Sequence, residues 1–391
     1  MSGRLSRRVE SFTESVIREM TRVVDQRGGV NLAQGMPNFR PPAALLEAAH
    51  RAIDGDFHQY AITWGARPLR AAVAEKYRRV YGLEVDPDRH VTVCCGSTET
   101  MLSTLLAVLD PGDEVIIFEP FYENYGPGCI IAGAAPVWVP LEPPDFIFDP
   151  DRLRAAVTDR TRAIVFNSPN NPSGKVFGRG ELETIADLCL RHDLLAITDE
   201  IYEHIVFDGR VHTPIATLPG MAERTVTISG ISKTYSVTGW RVGYAVAPEA
   251  ISVGIRRAHD FVTVGAPAPL QEAAVTALGL PDGYYVELRE AYQARRDLLL
   301  GALDAAGFVT WKPQGAYYIL TDVAHFMKQV GAADDTTFAM YLVRELGIAT
   351  VPGSSFYAHA ELGRTKLRFC FPKTDDVLRE AGERLQKLRG L

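Results

Sequence analysis

The sequence predicts an α/β fold: a large domain with a mostly parallel sheet between helices, joined to a smaller α+β domain. Three observations carry this expectation. Between about residues 45 and 280, short apolar runs alternate with longer helical patterns, an order that builds a parallel sheet covered on both faces. The runs are near-continuous in Val and Ile, as strands buried on both faces require. After about residue 281 the pattern changes to one long amphipathic helix, followed by strands and helices without regular alternation.

Seven strand-like runs mark the larger sheet: HVTVCC (90–95), EVIIFE (114–119), APVWVP (135–140), RAIVFN (162–167), LLAIT (194–198), TVTIS (225–229) and VGYAVA (242–247). Helical patterns lie around 67–81, 98–109 and 180–191. YYVELREAYQARRDLLLGALDAAG reads as one helix stopped by Gly307. AYYILTD, LGIATV and KLRFCF follow as strands, and a helix near 374–388 closes the chain. The division this implies is 45–280 for the large domain, and 1–44 with 281–391 for the small one.

With 391 residues, 47% of them hydrophobic and 23% charged, the chain has material for the cores of two domains. A net charge of −7 argues against the concentrated basic face that nucleic acid needs, while single arginines can still hold a small anion. Cys94 and Cys95 are neighbours in a strand and point to opposite faces, so they are poor disulfide partners. With five cysteines and no CxxC pair, a reducing compartment is expected. The nine histidines show no metal-ligand spacing, so they are assigned to surface and core and no metal is expected. The opening MSGRLSRRVESFTESVIREM lacks the apolar run of a secretory signal, and no stretch approaches the roughly 18 apolar residues of a membrane span. A cytoplasmic protein is expected, with neither nucleic acid nor membrane as partner.

Ligands of open α/β sheets sit beyond the carboxyl ends of the strands, and there the informative residues fall. TVTIS runs into GISKTYSVTGWRVGY, with Lys233 just past the strand and Arg241 eight positions on. A lysine amine can form a Schiff base with an aldehyde, and an arginine fork suits a phosphate. Asp199 ends LLAITD; a buried carboxylate needs a partner, and a protonated pyridine nitrogen would be one. Tyr202, three residues later, can project toward the hydroxyl of such a ring. In NSPNNPSGKVF, Asn171 can offer its amide to a phenolic oxygen and to a carboxylate, whereas the GK pair lacks the spacing of a nucleotide P-loop. Gly96, Ser97 and Thr98 open a helix whose free N–H groups make an anion site. Tyr122 follows the next strand, where its ring can stack on a flat heterocycle. Arg368 lies in the apolar KLRFCFP and can fork onto a carboxylate. Gly35 in NLAQGMPNF lets a ligand approach the backbone. Read singly, each has a plainer account. Lys233 would be a solvated loop cation, Asp199 and Ser97 helix N-caps, and the Asn-Pro pair a turn. Tyr122 would be core packing, and Arg368 would sit on a half-exposed edge strand.

In this order the segments resemble fold-type I pyridoxal phosphate enzymes, specifically the class I/II aminotransferases. The resemblance spans nearly the whole chain, from QGMPNF to LRFCFPK. It implies that Lys233 carries the cofactor and shuttles a proton, and that Arg241 and the Gly96–Thr98 loop bind phosphate. Asn171, Asp199 and Tyr202 would address the ring, Tyr122 would stack on it, and Arg368 would anchor the substrate α-carboxylate. Tyr60 of HQYAITWG matches a tyrosine that reaches the cofactor phosphate of the partner subunit, which implies a homodimer with shared sites. One departure is visible. Many members carry Ser or Thr three residues before the lysine, where Gly230 stands here, so neighbouring donors would serve, Ser229 among the candidates.

The implied function is transfer of an amino group between an L-amino acid and a 2-oxo acid, with ping-pong kinetics. LRFCFPK, NNPSGKVF and EPFYENY are most similar to the kynurenine, glutamine and methionine aminotransferase branch, with aspartate aminotransferase-like enzymes close. No second arginine for a dicarboxylate side chain can be placed. Two other readings stand beside it. The same scaffold supports C–S β-elimination and other Cα chemistry. A non-catalytic pyridoxal phosphate-binding sensor belongs to another class, and Lys233 and the lack of room for a DNA-binding module weigh against it.

Overall fold

The computed structural model describes residues 6–10 and 16–390. All seven predicted runs become strands of one eight-stranded sheet: β1 (Val91–Cys94), β2 (Glu114–Glu119), β3 (Ala135–Glu142), β4 (Ile147–Phe148), β5 (Thr161–Asn167), β6 (Leu195–Asp199), β7 (Thr225–Gly230) and β8 (Gly243–Val246). Their spatial order is β1-β8-β7-β6-β5-β2-β3-β4. Strands β3, β2, β5, β6 and β7 run parallel, β8 is antiparallel to both its neighbours, and β4 folds back on β3. Every residue of β2 and β7 is buried, which explains the continuous apolar run Val115–Phe118 of β2; β7 instead buries Thr225, Thr227 and Ser229 between its apolar residues. The two-residue β4 is too short to leave a periodic signal, and it escapes sequence reading.

Helices cover the sheet. Among those that position the site are α1 (Val16–Asp25), α2 (Arg67–Tyr81), α3 (Gly96–Val108), α4 (Arg179–His192) and α5 (Glu249–Val262). The start of α2 has Pro68 in its first turn, and its end is Gly82 in the left-handed region, where the Gly82 N–H donates to the Arg78 carbonyl and the Leu83 N–H to that of Tyr77. The long helix α6 (Asp282–Ala306) stops at Gly307 by the same device, as its sequence predicts.

A second sheet holds β9 (Val309–Trp311), β10 (Tyr318–Asp322), β11 (Val351–Pro352) and β12 (Lys366–Cys370), all antiparallel, in the order β9-β10-β12-β11. LGIATV is not one strand but two pieces: Ile348–Ala349 pairs with Val30–Asn31, and only Val351–Pro352 joins this sheet. Met20, Val24 and Leu32 from the N-terminal segment pack with Leu299, Phe369 and Leu378 in one core. No described helix is long and apolar enough to cross a membrane.

Candidate active site

A cavity of about 510 Å³ opens at the carboxyl ends of β5, β6 and β7, against the two central strands β10 and β12 of the smaller sheet. Its walls include Gly35, Ser97, Thr98, Tyr122, Asn171, Asp199, Tyr202, Lys233, Arg241 and Arg368. A wider cleft of about 820 Å³ shares Ser97, Thr98, Tyr122, Asp199 and Arg241 with it, but Lys233 and Arg368 belong only to the smaller space. The candidate residues therefore converge on the smaller cavity, which the cleft adjoins.

Lys233 stands on the turn after β7, half-buried. Its Nζ lies 3.5 Å from the Gly35 carbonyl oxygen and over the rings of Tyr202 and Tyr317. Among the described residues no carboxylate pairs with it. Burial, then the charge of Arg241, push the ammonium down to about 8, against the smaller opposing pull of Asp199. A lysine so placed carries a substantial neutral, nucleophilic fraction near neutral pH.

Asp199 ends β6, buried. The Tyr125 hydroxyl donates to its Oδ2 at 2.8 Å and the Ile201 N–H to its Oδ1 at 3.2 Å. Burial raises this carboxyl to about 6, with the Tyr125 bond working the other way. Turn, not helix, follows Asp199, so the N-cap account fails. Asn167 braces the same corner, donating to the Asp199 carbonyl at 2.6 Å and accepting the Asn171 N–H at 2.7 Å.

Arg368 is fully buried, in a strand flanked on both sides, so it lies on no half-exposed edge. Its Nη1 donates to Asn171 Oδ1 at 2.8 Å and its Nη2 to the Ala33 carbonyl at 2.6 Å, while Nε has no hydrogen-bond partner. The guanidinium lies 4.3 Å from the Tyr318 ring centre, and no carboxylate of the described residues pairs with it. A buried cation without an anion is costly unless an anion arrives, and the cavity is where one can. Gly35 is required beside it, since a Cβ there would lie 2.1 Å from the Tyr318 hydroxyl, which itself meets the Tyr202 hydroxyl at 2.9 Å.

At the phosphate-like end, Gly96 has φ +79°, and a Cβ on it would lie 2.4 Å from Arg241 Nη2. A Cβ on Gly243 would lie 2.6 Å from the Ser97 nitrogen. These two glycines let Arg241 and the start of α3 close around one anion-sized cradle. Ser97 sits inside the first turn of α3 and caps nothing; the N-cap position is Cys95. Tyr122 is half-buried on the wall, edge-on to Tyr125.

Two sequence candidates fall elsewhere. Ser229 points to the other face of the sheet, where its hydroxyl donates to Glu203 at 2.6 Å, so it is no phosphate donor. The donor that does line the cavity is Ser232, whose place next to Lys233 was the available signal. Tyr60 is 87% exposed and does not reach the cavity of its own chain. Sequence reading also missed Tyr125, Asn167 and Tyr318, none of which carries a motif of its own.

Residues 27–385 match the family model for aminotransferase class I and II. The chain belongs to the class I and II aminotransferases. Among curated proteins it is 39% identical to a probable N-succinyldiaminopimelate aminotransferase of Mycobacterium tuberculosis, covering 97% of this chain and 98% of that one. It is 36% identical to kynurenine–oxoglutarate transaminase 1 of Homo sapiens, over 98% and 97% of the two chains. The solved structure of the N-succinyldiaminopimelate aminotransferase from Mycobacterium tuberculosis superposes with a TM-score of 0.94 at 40% identity, over 98% of this chain and 100% of that one. The aminotransferase is thus a fold-type I enzyme with pyridoxal phosphate as its cofactor. The aminotransferase's own residues fit that group: a glycine-lined cradle for a phosphate, a buried carboxylate, and a lysine without a counter-charge.

Proposed function

We propose that Lys233, Asp199, Asn171, Arg241 and Arg368 act as one transamination site for L-amino acids and 2-oxo acids, worked in two alternating half-reactions. The observation that carries this is convergence: all five side chains line a single cavity, and no carboxylate of the described residues forms an ion pair with Lys233. When bound, pyridoxal phosphate supplies an aldehyde for the amino group and a ring that withdraws electrons from the substrate Cα. Arg241, Ser97, Thr98 and the N-terminus of α3 would hold its phosphate. Asp199 would keep the ring nitrogen protonated, and Tyr202 and Asn171 would address the ring oxygen, with Tyr122 against its face.

The chain's remaining work is positioning and proton movement. Arg368 takes the substrate α-carboxylate on the unsatisfied side of its fork, and Asn171 fixes that fork from behind. Lys233 Nζ, kept partly neutral, would take the proton from the substrate Cα and return it at C4′, the cofactor's aldehyde carbon. The proposal includes the division into 45–280 and 1–44 with 281–391, which would put Lys233 and Arg368 on different domains with the substrate between them.

Homodimerisation is part of the proposal. Tyr60, Ile62 and Phe261 are exposed by 87%, 50% and 91%, an apolar surface that suits a second copy, to whose site Tyr60 would be lent. Five free cysteines support a reducing, cytoplasmic setting. The test is Lys233→Ala. It removes the visible band of the cofactor-loaded protein and nearly all turnover, and retention of both overturns the assignment. A donor panel against pyruvate, 2-oxoglutarate and glyoxylate then identifies the substrates. Release of pyruvate and ammonia without any 2-oxo acid acceptor would reveal elimination instead.

A further inference from the structure

A buried pair outside the assigned residues touches the phosphate turn. Glu99 directly follows Thr98 in α3; its Oε2 accepts the Cys95 N–H at 2.9 Å and its Oε1 accepts the Ser103 hydroxyl. His259, fully buried on α5, places Nδ1 3.1 and 3.0 Å from the two Glu99 oxygens and Nε2 3.0 Å from the Thr63 carbonyl oxygen. A carbonyl only accepts, so Nε2 carries a proton. Burial opposes ionisation of Glu99, yet bonds from His259 and Ser103 outweigh it and hold the carboxyl below its ordinary range. Nδ1 meets both Glu99 oxygens and, at 3.0 Å, the Thr263 hydroxyl, so the pair is a buried, fully hydrogen-bonded imidazole–carboxylate bridge. Cys94 lies beside it at metal-ligand spacing, but both ring nitrogens and both carboxylate oxygens are already engaged, which leaves an ion no open position.

One end of this bridge is the residue before Gly96, on which the Arg241 guanidinium rests. The other end is Thr63, in the segment that carries the exposed Tyr60 and whose Trp64 carbonyl accepts the Val93 N–H at 3.0 Å. N–H groups at a helix start hold a phosphate well only while they converge on one point. We propose that His259 is a positioning residue for the phosphate end of the cofactor: through Glu99 it fixes the Cys95–Thr98 turn, and through Thr63 it ties that turn to the Tyr60 segment. This rests on the reading of Ser97, Thr98 and Arg241 as the phosphate site.

The test titrates cofactor-free protein, by absorbance, with pyridoxal phosphate and with pyridoxal, which lacks the phosphate. The wild type discriminates strongly for the phosphorylated form. His259→Phe keeps a buried ring and removes the hydrogen bonds to Glu99, Thr63 and Thr263, and the ratio of the two dissociation constants falls by about tenfold or more, the scale of one charge-assisted bond. Glu99→Gln keeps an acceptor for Cys95 but loses the charge, and its ratio falls by less. An unchanged ratio in both variants, including parallel weakening of both ligands, overturns the proposal. Should His259→Phe fail to fold, Glu99→Gln decides alone. A wild type without preference for the phosphorylated form would instead overturn the phosphate-site reading itself.

Discussion

Replacing Arg368 by lysine keeps the charge in the cavity but destroys the fork that carries it. In the native protein Nη1 is engaged by Asn171 at 2.8 Å and Nη2 by the Ala33 carbonyl at 2.6 Å, and the planar group lies against Tyr318. A lysine ammonium has three donors on one nitrogen and a shorter reach. It cannot serve both protein acceptors and still present two parallel donors to a carboxylate. One charge-assisted hydrogen bond is lost, about 1.5–3 kcal/mol, which is roughly 10- to 150-fold in kcat/KM. Arg368→Met goes further, since the substrate carboxylate would enter a fully buried position with no counter-charge. Breaking a buried pair in that way costs about 3–5 kcal/mol, roughly two to four orders of magnitude. The α-carboxylate does not itself react, so most of the loss appears in KM, with kcat less affected. Single-turnover spectra of the amino-acid half-reaction over a range of substrate concentration separate the two. An Arg368→Lys enzyme with KM within about twofold of wild type would refute the argument, as would equal losses toward an amine that has no carboxylate.

Other consequences follow from the same geometry. Because Lys233 is pushed down to about 8 and only the neutral amine attacks an aldehyde, uptake of pyridoxal phosphate by cofactor-free protein should rise with pH, half-complete near 8 and level roughly a unit above it. A half-rise near the ordinary lysine value would contradict it. Tyr125→Phe removes the bond at Asp199 Oδ2 that lowers this carboxyl, so its value rises from about 6. The carboxylate is then lost at higher pH, and the acid limb of the kcat/KM profile moves upward, which a pH series on the variant checks. Gly35→Ala places a methyl group 2.1 Å from the Tyr318 hydroxyl and must displace that ring from Tyr202. Overpacking of this kind costs about 1–3 kcal/mol, read as a lower denaturant midpoint; an unchanged midpoint counts against the crowding.

Much of the fold is visible in local pattern, and the reasons are physical. A strand buried on both faces is mostly apolar, so β2, β5 and β6 announce themselves within five to seven residues, as β7 does by its alternating Val and Ile. Residues at their carboxyl ends inherit the crevice, which is why Asp199 and Lys233 could be picked out with no knowledge of what faces them. Short or interrupted strands follow no such rule. Strands β4 and β9, two and three residues long, are too short to show a period even though each pairs with its neighbour in sequence, and the split at Thr350 depends on Val30–Asn31, supplied from the far end of the chain.

The sequence by itself determined the layered architecture, the chemistry of the anionic ligand and the identities of Lys233, Asp199, Asn171, Arg241 and Arg368 as its candidate contacts. Only the tertiary structure decided which way Ser229 faces, that Arg368 is buried without a carboxylate, and that Tyr125 reaches Asp199 from 74 positions away. It alone joined His259 to Glu99 across 160 positions. Strand and helix formation respond to neighbours within a turn or two. The pairing of distant side chains depends on sheet order and register, which no local stretch of sequence contains.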